Sequence, residues 1–314
     1  MRINPVYKRE VTVSSRSARI PVIMMVFNSI LALVAFLNMY SVTAQVKVTA
    51  EIQYSSFLDL YMFVASLEFV MLLFIMPALT SGSISGERER QTLELLLSTK
   101  ATPWEIVTGK LMSSMNSMVL LVVSSFPVMA LVFVYGGITI KDMGLLMLMY
   151  GTVALFSASL GICFSSICRR STMATAMSYG VLTFLIAGTF VINYFVASMA
   201  SMGAAGYANQ MEGITSQVNS GVCLYLLLLN PAVSFYQIMS GQAGSREASV
   251  SVTQWFGSRS PNMVLDAWLP VSIGLQLLLA VLFLLIAVRA VDPTGGRRSR
   301  HEPKTRGTHA SGKE

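Results

Sequence analysis

Six times along the chain, about 20 or more consecutive residues are almost entirely apolar, the length a helix needs to cross a bilayer. The runs lie at roughly 21–43, 57–82, 111–135, 142–167, 173–199 and 267–288. In hydrocarbon each backbone N–H and C=O must bond within its own segment, so such runs fold as helices and not as open strands. The composition agrees: 54% of residues are hydrophobic and only 12% charged, against roughly 25% charged in a soluble domain. The expected fold class is an all-α integral membrane protein with six transmembrane helices.

A further apolar run, Val222 to Met239, is interrupted by Asn230-Pro231. Proline inside a helix costs about 3 kcal/mol. The basic residues decide how this run is read. With six spans and the amino end inside, 18 of the 22 Lys and Arg fall on the inner side. Arg2, Lys8, Arg9, Arg16 and Arg19 precede the first run, and Arg88, Arg90, Lys100 and Lys110 follow the second. Arg169 and Arg170 follow the fourth, and seven more lie from Arg289 onward. Only Lys47, Lys141, Arg246 and Arg259 fall outside. This is a strong positive-inside asymmetry, and a seventh span would carry the basic tail to the wrong side. The run is therefore read as re-entrant or interfacial, just before the last span.

The expected organisation is an amino-terminal helix on the cytoplasmic face over 1–20 and a six-span domain over 21–290. That domain carries a cytoplasmic loop at 83–110 and a large external region at 200–266. The tail at 291–314 is basic and nearly free of apolar residues, and is expected to stay disordered. The first run exceeds the 7–15 residues of a signal-peptide core, so it is read as a retained span. The three cysteines form no C-x-x-C pair and both histidines lie in the tail, so neither a disulfide framework nor a metal site is expected.

The loop after the second run carries the most information. It reads Ser83-Ile-Ser-Gly-Glu87-Arg88-Glu89-Arg90-Gln-Thr92-Leu93-Glu94-Leu-Leu-Leu97 and continues to Leu111. Ser85 suits an N-cap, with Glu87 and Glu89 in the first turn, where the helix dipole favours acids. Leu93, Leu96 and Leu97 share one face. Thr102 and Glu105 then form a T-x-x-E capping box with Pro103 at the first helical position, which starts a helix leading into the third run. The expected unit is a short helix, a turn and the head of the next span. Thr108-Gly109-Lys110-Leu111 is no phosphate loop, because Trp104 and Leu111 stand where that loop needs Gly and Ser or Thr.

The string G-E-R-E-x-x-T-L-E-x-L-L-x-T, followed by P-W-E-I-x-x-G-K-L, resembles the coupling-helix region of ABC type-2 permeases. Asn4-Pro5-Val-Tyr-Lys8-Arg9-Glu10 resembles that family's amphipathic connecting helix, with Asn4 as cap and Pro5 at the first helical position. One departure is that Lys100-Ala101-Thr102 separates Thr99 from Pro103. The resemblance implies a membrane-spanning subunit of an exporter, paired with a second permease chain, alike or related, and driven by a separate ABC ATPase subunit. ATP and Mg would then bind the ATPase, and this chain would need no cofactor and have no catalytic site. Carried over residue by residue, the ATPase contacts are Glu87, Arg88, Glu89, Thr92, Leu93, Glu94 and Leu97. The alternative for the leucines is that they anchor the helix on this chain's own spans. The expected location is the cell membrane, with both termini cytoplasmic; the other partner is lipid, and no nucleic acid is expected.

Glu68 lies inside the second run with no basic residue in the spans to pair with it. Acids there are costly and often functional. It is either a polar point on a substrate path or a structural partner of Asn28, Asn38, Asn193 or Gln276. Ser157-x-x-x-Gly161 and Gly82-x-x-x-Gly86 allow close helix approach, more often within a chain than between chains. The lack of charge clusters in the spans favours an apolar or amphipathic cargo. Two rivals stand beside the exporter: a non-transporting membrane component of the same fold, and an intramembrane enzyme, for which the spans carry no Ser/Lys, paired Asp or His cluster.

Overall fold

A computed structural model describes residues 4–49, 55–98, 102–135, 138–208, 220–243 and 263–292. The tail beyond 292 lies outside these residues, as do 209–219 and 244–262 of the external region expected at 200–266.

The described residues form helices joined by short turns, with no strand among them. Helix α1 (Pro5–Ser15) precedes α2 (Arg19–Thr49) and α3 (Ser55–Thr80). Two short helices follow, α4 (Ser85–Glu89) and α5 (Thr92–Ser98), and then α6 (Pro103–Tyr135) and α7 (Ile140–Ile167). Next comes α8 (Ser171–Thr183), which passes through a π-helical turn (Phe184–Gly188) into α9 (Thr189–Ala208). A 3₁₀ helix (Gly221–Leu229), α10 (Pro231–Ala243), α11 (Met263–Asp266) and α12 (Trp268–Val291) complete the order. Among the described residues six segments are long and apolar enough to span, with α8, the π turn and α9 forming one of them.

The core is centred on α7, which packs against α3 on one side and α12 on the other, with α6 alongside. Leu146, Met149, Tyr150, Val153, Phe156 and Leu160 of α7 are all fully buried. By contrast α2 buries only one stripe, Phe27, Leu31, Ala35 and Val42, and leaves Met25, Phe36 and Tyr40 about 70% exposed. Large exposed apolar side chains on a spanning helix are what lipid covers. Helices α3 and α7 approach closely at Gly161, where a Cβ would overlap Thr80 Oγ1 and lie 3.3 Å from Ser81 N. The Ser157/Gly161 spacing thus serves packing within the chain.

The segment before the last span is bent. Its 3₁₀ helix and α10 meet at 87° about Asn230-Pro231. Nine residues of 3₁₀ helix rise about 18 Å and 13 of α-helix about 20 Å, each short of the roughly 30 Å hydrocarbon core. Asn230 is the pivot. Its Oδ1 accepts from Ala232 N (2.9 Å) and caps α10. Its Nδ2 donates to Ile186 O (2.9 Å) and lies 2.8 Å from Thr189 Oγ1. The π turn in the fifth span frees such carbonyls from the ordinary ladder. The bent segment is also tied to α12, where Ser272 donates to Leu228 O (2.7 Å) and Gln276 Nε2 donates to Ser234 Oγ (3.2 Å). At the end of α10 Tyr61 donates to Gln242 Oε1 (2.6 Å), and Gln242 Nε2 donates to Asp142 O (2.9 Å).

Candidate functional site

The loop after α3 is two short helices, where the sequence suggested one. The break is at Arg90-Gln91, where Gln91 has φ 58°. A side chain in this left-handed region costs roughly 1–2 kcal/mol, so neighbouring contacts must hold it. Ser85 stands at the first position of α4, not at its cap. Its hydroxyl donates back to Ser81 O (3.0 Å), and Ile84 occupies the cap without a side-chain bond.

The missing cap comes from α7. Ser165 Oγ accepts from Ile84 N (2.9 Å) and Ser85 N (3.0 Å), two of the donors that a helix start leaves unpaired. The exchange is reciprocal. Arg88 of α4 donates from Nη2 to Ser166 O (3.0 Å) and from Nη1 to Cys168 O (3.2 Å), closing the carbonyl end of α7. A guanidinium there also meets the negative end of the helix dipole. Glu89 does the opposite for α8. Arg170 caps that helix without a side-chain bond, and Glu89 instead accepts from Ser171 N (2.8 Å) and Ser171 Oγ (2.9 Å). The Ser171 N–H, and next its hydroxyl, hold the Glu89 carboxyl below the ordinary carboxylate range.

Lys110, near the start of α6, forms a second fastening. Its Nζ donates to Glu10 of α1 (3.1 Å), Glu87 of α4 (3.0 Å) and Ser83 O (2.8 Å). All three ammonium protons are therefore used. The Lys110 side chain is 4% exposed, while Glu10 and Glu87 are 28% and 16% exposed. Removing one member of such a buried cluster costs about 3–5 kcal/mol, because the others lose their compensation. Helix α1 is also held to α6 by Asn4 Nδ2, which donates to Glu105 O (2.8 Å), while Asn4 Oδ1 caps α1 at Val6 N (3.0 Å). A Cβ on Gly109 would lie 3.0 Å from Val6 Cβ and 3.1 Å from Tyr7 N, so glycine sets how closely α1 can sit.

At the head of α6 the capping box is closed. Glu105 Oε2 accepts from Thr102 N (2.8 Å) and Thr102 Oγ1 accepts from Glu105 N (3.2 Å), with Pro103 opening the helix.

The seven residues considered as partner contacts therefore divide. Glu87, Arg88 and Glu89 are engaged within the chain, and Leu93 is buried in its core. Thr92 and Glu94 are exposed and Leu97 is half-buried. The side chain of Leu96 lies outside those described. Sequence reasoning missed Lys110, Glu10, Ser165 and Ser171 as members of the site. The only local signals were the Lys in G-K-L and the Ser165-Ser166 pair inside an apolar run.

Glu68 is fully buried in α3. Its partner is Ser125 of α6, whose Oγ lies 2.8 Å from Glu68 Oε1 and 2.8 Å from Val122 O. Of the amides suggested from sequence, Asn193 donates to Thr189 O and Gln276 to Ser234 and Ser272. Ser125 has one proton for two acceptors. A carboxylic acid at Glu68 would satisfy both contacts, giving its proton to Ser125 while Ser125 bonds Val122 O. Among the described residues Glu68 Oε2 has no hydrogen-bond partner.

The family model of the ABC-2 family transporter proteins matches residues 4–290. Among curated proteins none matches the chain. The matched region starts at the Asn4 cap and ends in the last turn of α12, taking in every spanning helix, the bent segment and the α4–α5 loop. The chain belongs to the ABC-2 transporter family, as a multi-pass membrane component of an ABC transporter.

Proposed function

We propose that this permease subunit couples ATP hydrolysis by a separate ATPase subunit to outward movement of a substrate, working as a pair of permease chains in the cell membrane. Both termini face the cytoplasm in this reading, and ATP and Mg sit on the ATPase. The positive-inside asymmetry supports that orientation.

The observation that carries the proposal is how the α4–α5 loop is fastened. Arg88 and Glu89 grip the facing ends of α7 and α8, and Lys110 binds α4 to α6 and α1. A load on the loop therefore reaches several helices through short polar contacts. Thr92 and Glu94 present the contact surface, with Leu97 at its edge. Glu87, Arg88, Glu89 and the Thr102–Pro103–Glu105 cap hold that surface in position. Glu68, a buried polar point in the spans, lies on the substrate path in this reading.

The test is co-purification from mild detergent of the tagged chain, wild type and with Glu94→Arg or Leu97→Asp. An ABC ATPase bound to the wild type and lost from both variants is the expected result. No ATPase with the wild type, and no ATP-driven flux on reconstitution, would leave a non-transporting membrane component as the better reading.

A further inference from the structure

Between α1, the start of α2, the end of α3 and α6 lies a cavity of about 250 Å³. It joins a second of about 150 Å³ through shared residues Ser14, Ile20, Ser113 and Ser117. The first is polar. Its wall includes Glu10, Lys110 and the hydroxyls of Thr80, Ser83, Ser114 and Ser117. The second is more apolar and runs along Ile20, Pro21, Met24 and Leu120. Leu120 is 45% exposed on the lipid-facing side of α6. The pair forms one amphipathic cleft at the membrane–water boundary.

Four of the hydroxyls on its wall have their protons committed to backbone carbonyls. Thr80 donates to Met76 O (2.8 Å), Ser83 to Thr80 O (2.7 Å), Ser114 to Leu111 O (2.7 Å) and Ser117 to Ser113 O (3.2 Å). A hydroxyl has one proton, so these four turn only lone pairs toward the space. Lys110 has spent its three donors on Glu10, Glu87 and Ser83 O. The formal charge of that cluster is one Lys against two Glu, a net negative charge. An anionic phosphate is disfavoured there, whereas a group carrying several N–H donors and a positive charge fits.

We propose that this cleft binds a phospholipid with a primary-amine headgroup, its ammonium in the chamber and its acyl chain along the apolar groove. In the orientation proposed above the lipid comes from the inner leaflet. The apolar continuation is what selects a lipid over a soluble amine. The bound lipid joins α1 to α6 beside the Lys110 cluster.

The test is native mass spectrometry of the full-length, detergent-purified chain, stripped of lipid and challenged with phosphatidylethanolamine, phosphatidylcholine and phosphatidylglycerol of identical acyl chains. Phosphatidylcholine keeps the positive charge but loses the N–H donors, and phosphatidylglycerol lacks both. We expect phosphatidylethanolamine to be retained about tenfold or more over either. Ser117→Leu and Ser14→Leu fill the cleft from opposite walls and should each abolish that preference, with an unchanged melting temperature in at least one of them showing that the fold survives. Equal retention of the three lipids would overturn the proposal. So would an undiminished preference in both variants, which would put the lipid elsewhere, or displacement by excess free ethanolamine, which would make the ligand a soluble amine.

Discussion

Arg88 and Glu89 are adjacent in sequence and hold opposite ends of two successive helices: Arg88 bonds the last carbonyls of α7 and Glu89 the first N–H of α8. Each charge meets the helix end whose dipole attracts it. Arg88→Lys retains the charge but loses the fork that reaches two carbonyls at once. We expect Arg88→Ala to cost about 1.5–3 kcal/mol, read as a lower melting temperature in detergent, with Arg88→Lys falling between it and wild type.

Glu89 gives this region a pH dependence whose sign is fixed by its hydrogen bonds. Its carboxyl is held below the ordinary range in the folded chain by Ser171. Its stabilising contribution is therefore present above the unfolded-state value and is lost as pH falls through the folded-state one. Melting curves of wild type and Glu89→Gln should differ at neutral pH and converge in acid. The difference should be small, since the residue is exposed.

Lys110→Met leaves Glu10 and Glu87 facing each other without a cation. We expect a loss of about 3–5 kcal/mol and faster hydrogen exchange in α1. Adding Glu10→Gln and Glu87→Gln to Lys110→Met should recover most of the loss. A triple variant no more stable than Lys110→Met would show that the cluster does not hold α1.

Glu68→Gln keeps a hydrogen-bonding group of the same shape beside Ser125, so folding should change by less than about 1.5 kcal/mol. If Glu68 meets the substrate, ATP-driven flux falls while the protein stays folded. Wild-type flux in Glu68→Gln would reduce the residue to a structural role.

Gly161→Ala forces a methyl group into Thr80 and the backbone at Ser81. The expected cost is about 1–3 kcal/mol on thermal unfolding. Thr80→Ala in the same chain should return part of it.

The elements set by local chemistry were legible from sequence. The six spans follow from run length, the 87° bend from Asn230-Pro231, and the start of α6 from Thr102, Pro103 and Glu105. The fastening of the loop was not. Ser165, Ser166 and Ser171 lie about 80 residues from their partners in α4, and only the packing of α7 against α3 brings them together. The break between α4 and α5 was also hidden, because Gln91 adopts a conformation for which Gly is the usual signal. Glu68 stood out as a buried acid, but its Ser125 partner is one of many serines in the spans. Choosing it over the amides required the helix arrangement.

The separation of 78–82 residues between α4 and the helix ends it grips also orders events during synthesis. At roughly 5–20 residues per second, the ribosome needs roughly 4–16 seconds to produce the α7–α8 turn after α4 has emerged. Throughout that interval Arg88 and Glu89 have no helix ends to bind. The loop is made early and fastened late, so a fault in inserting the fourth or fifth span would first show as a protease-sensitive loop far upstream.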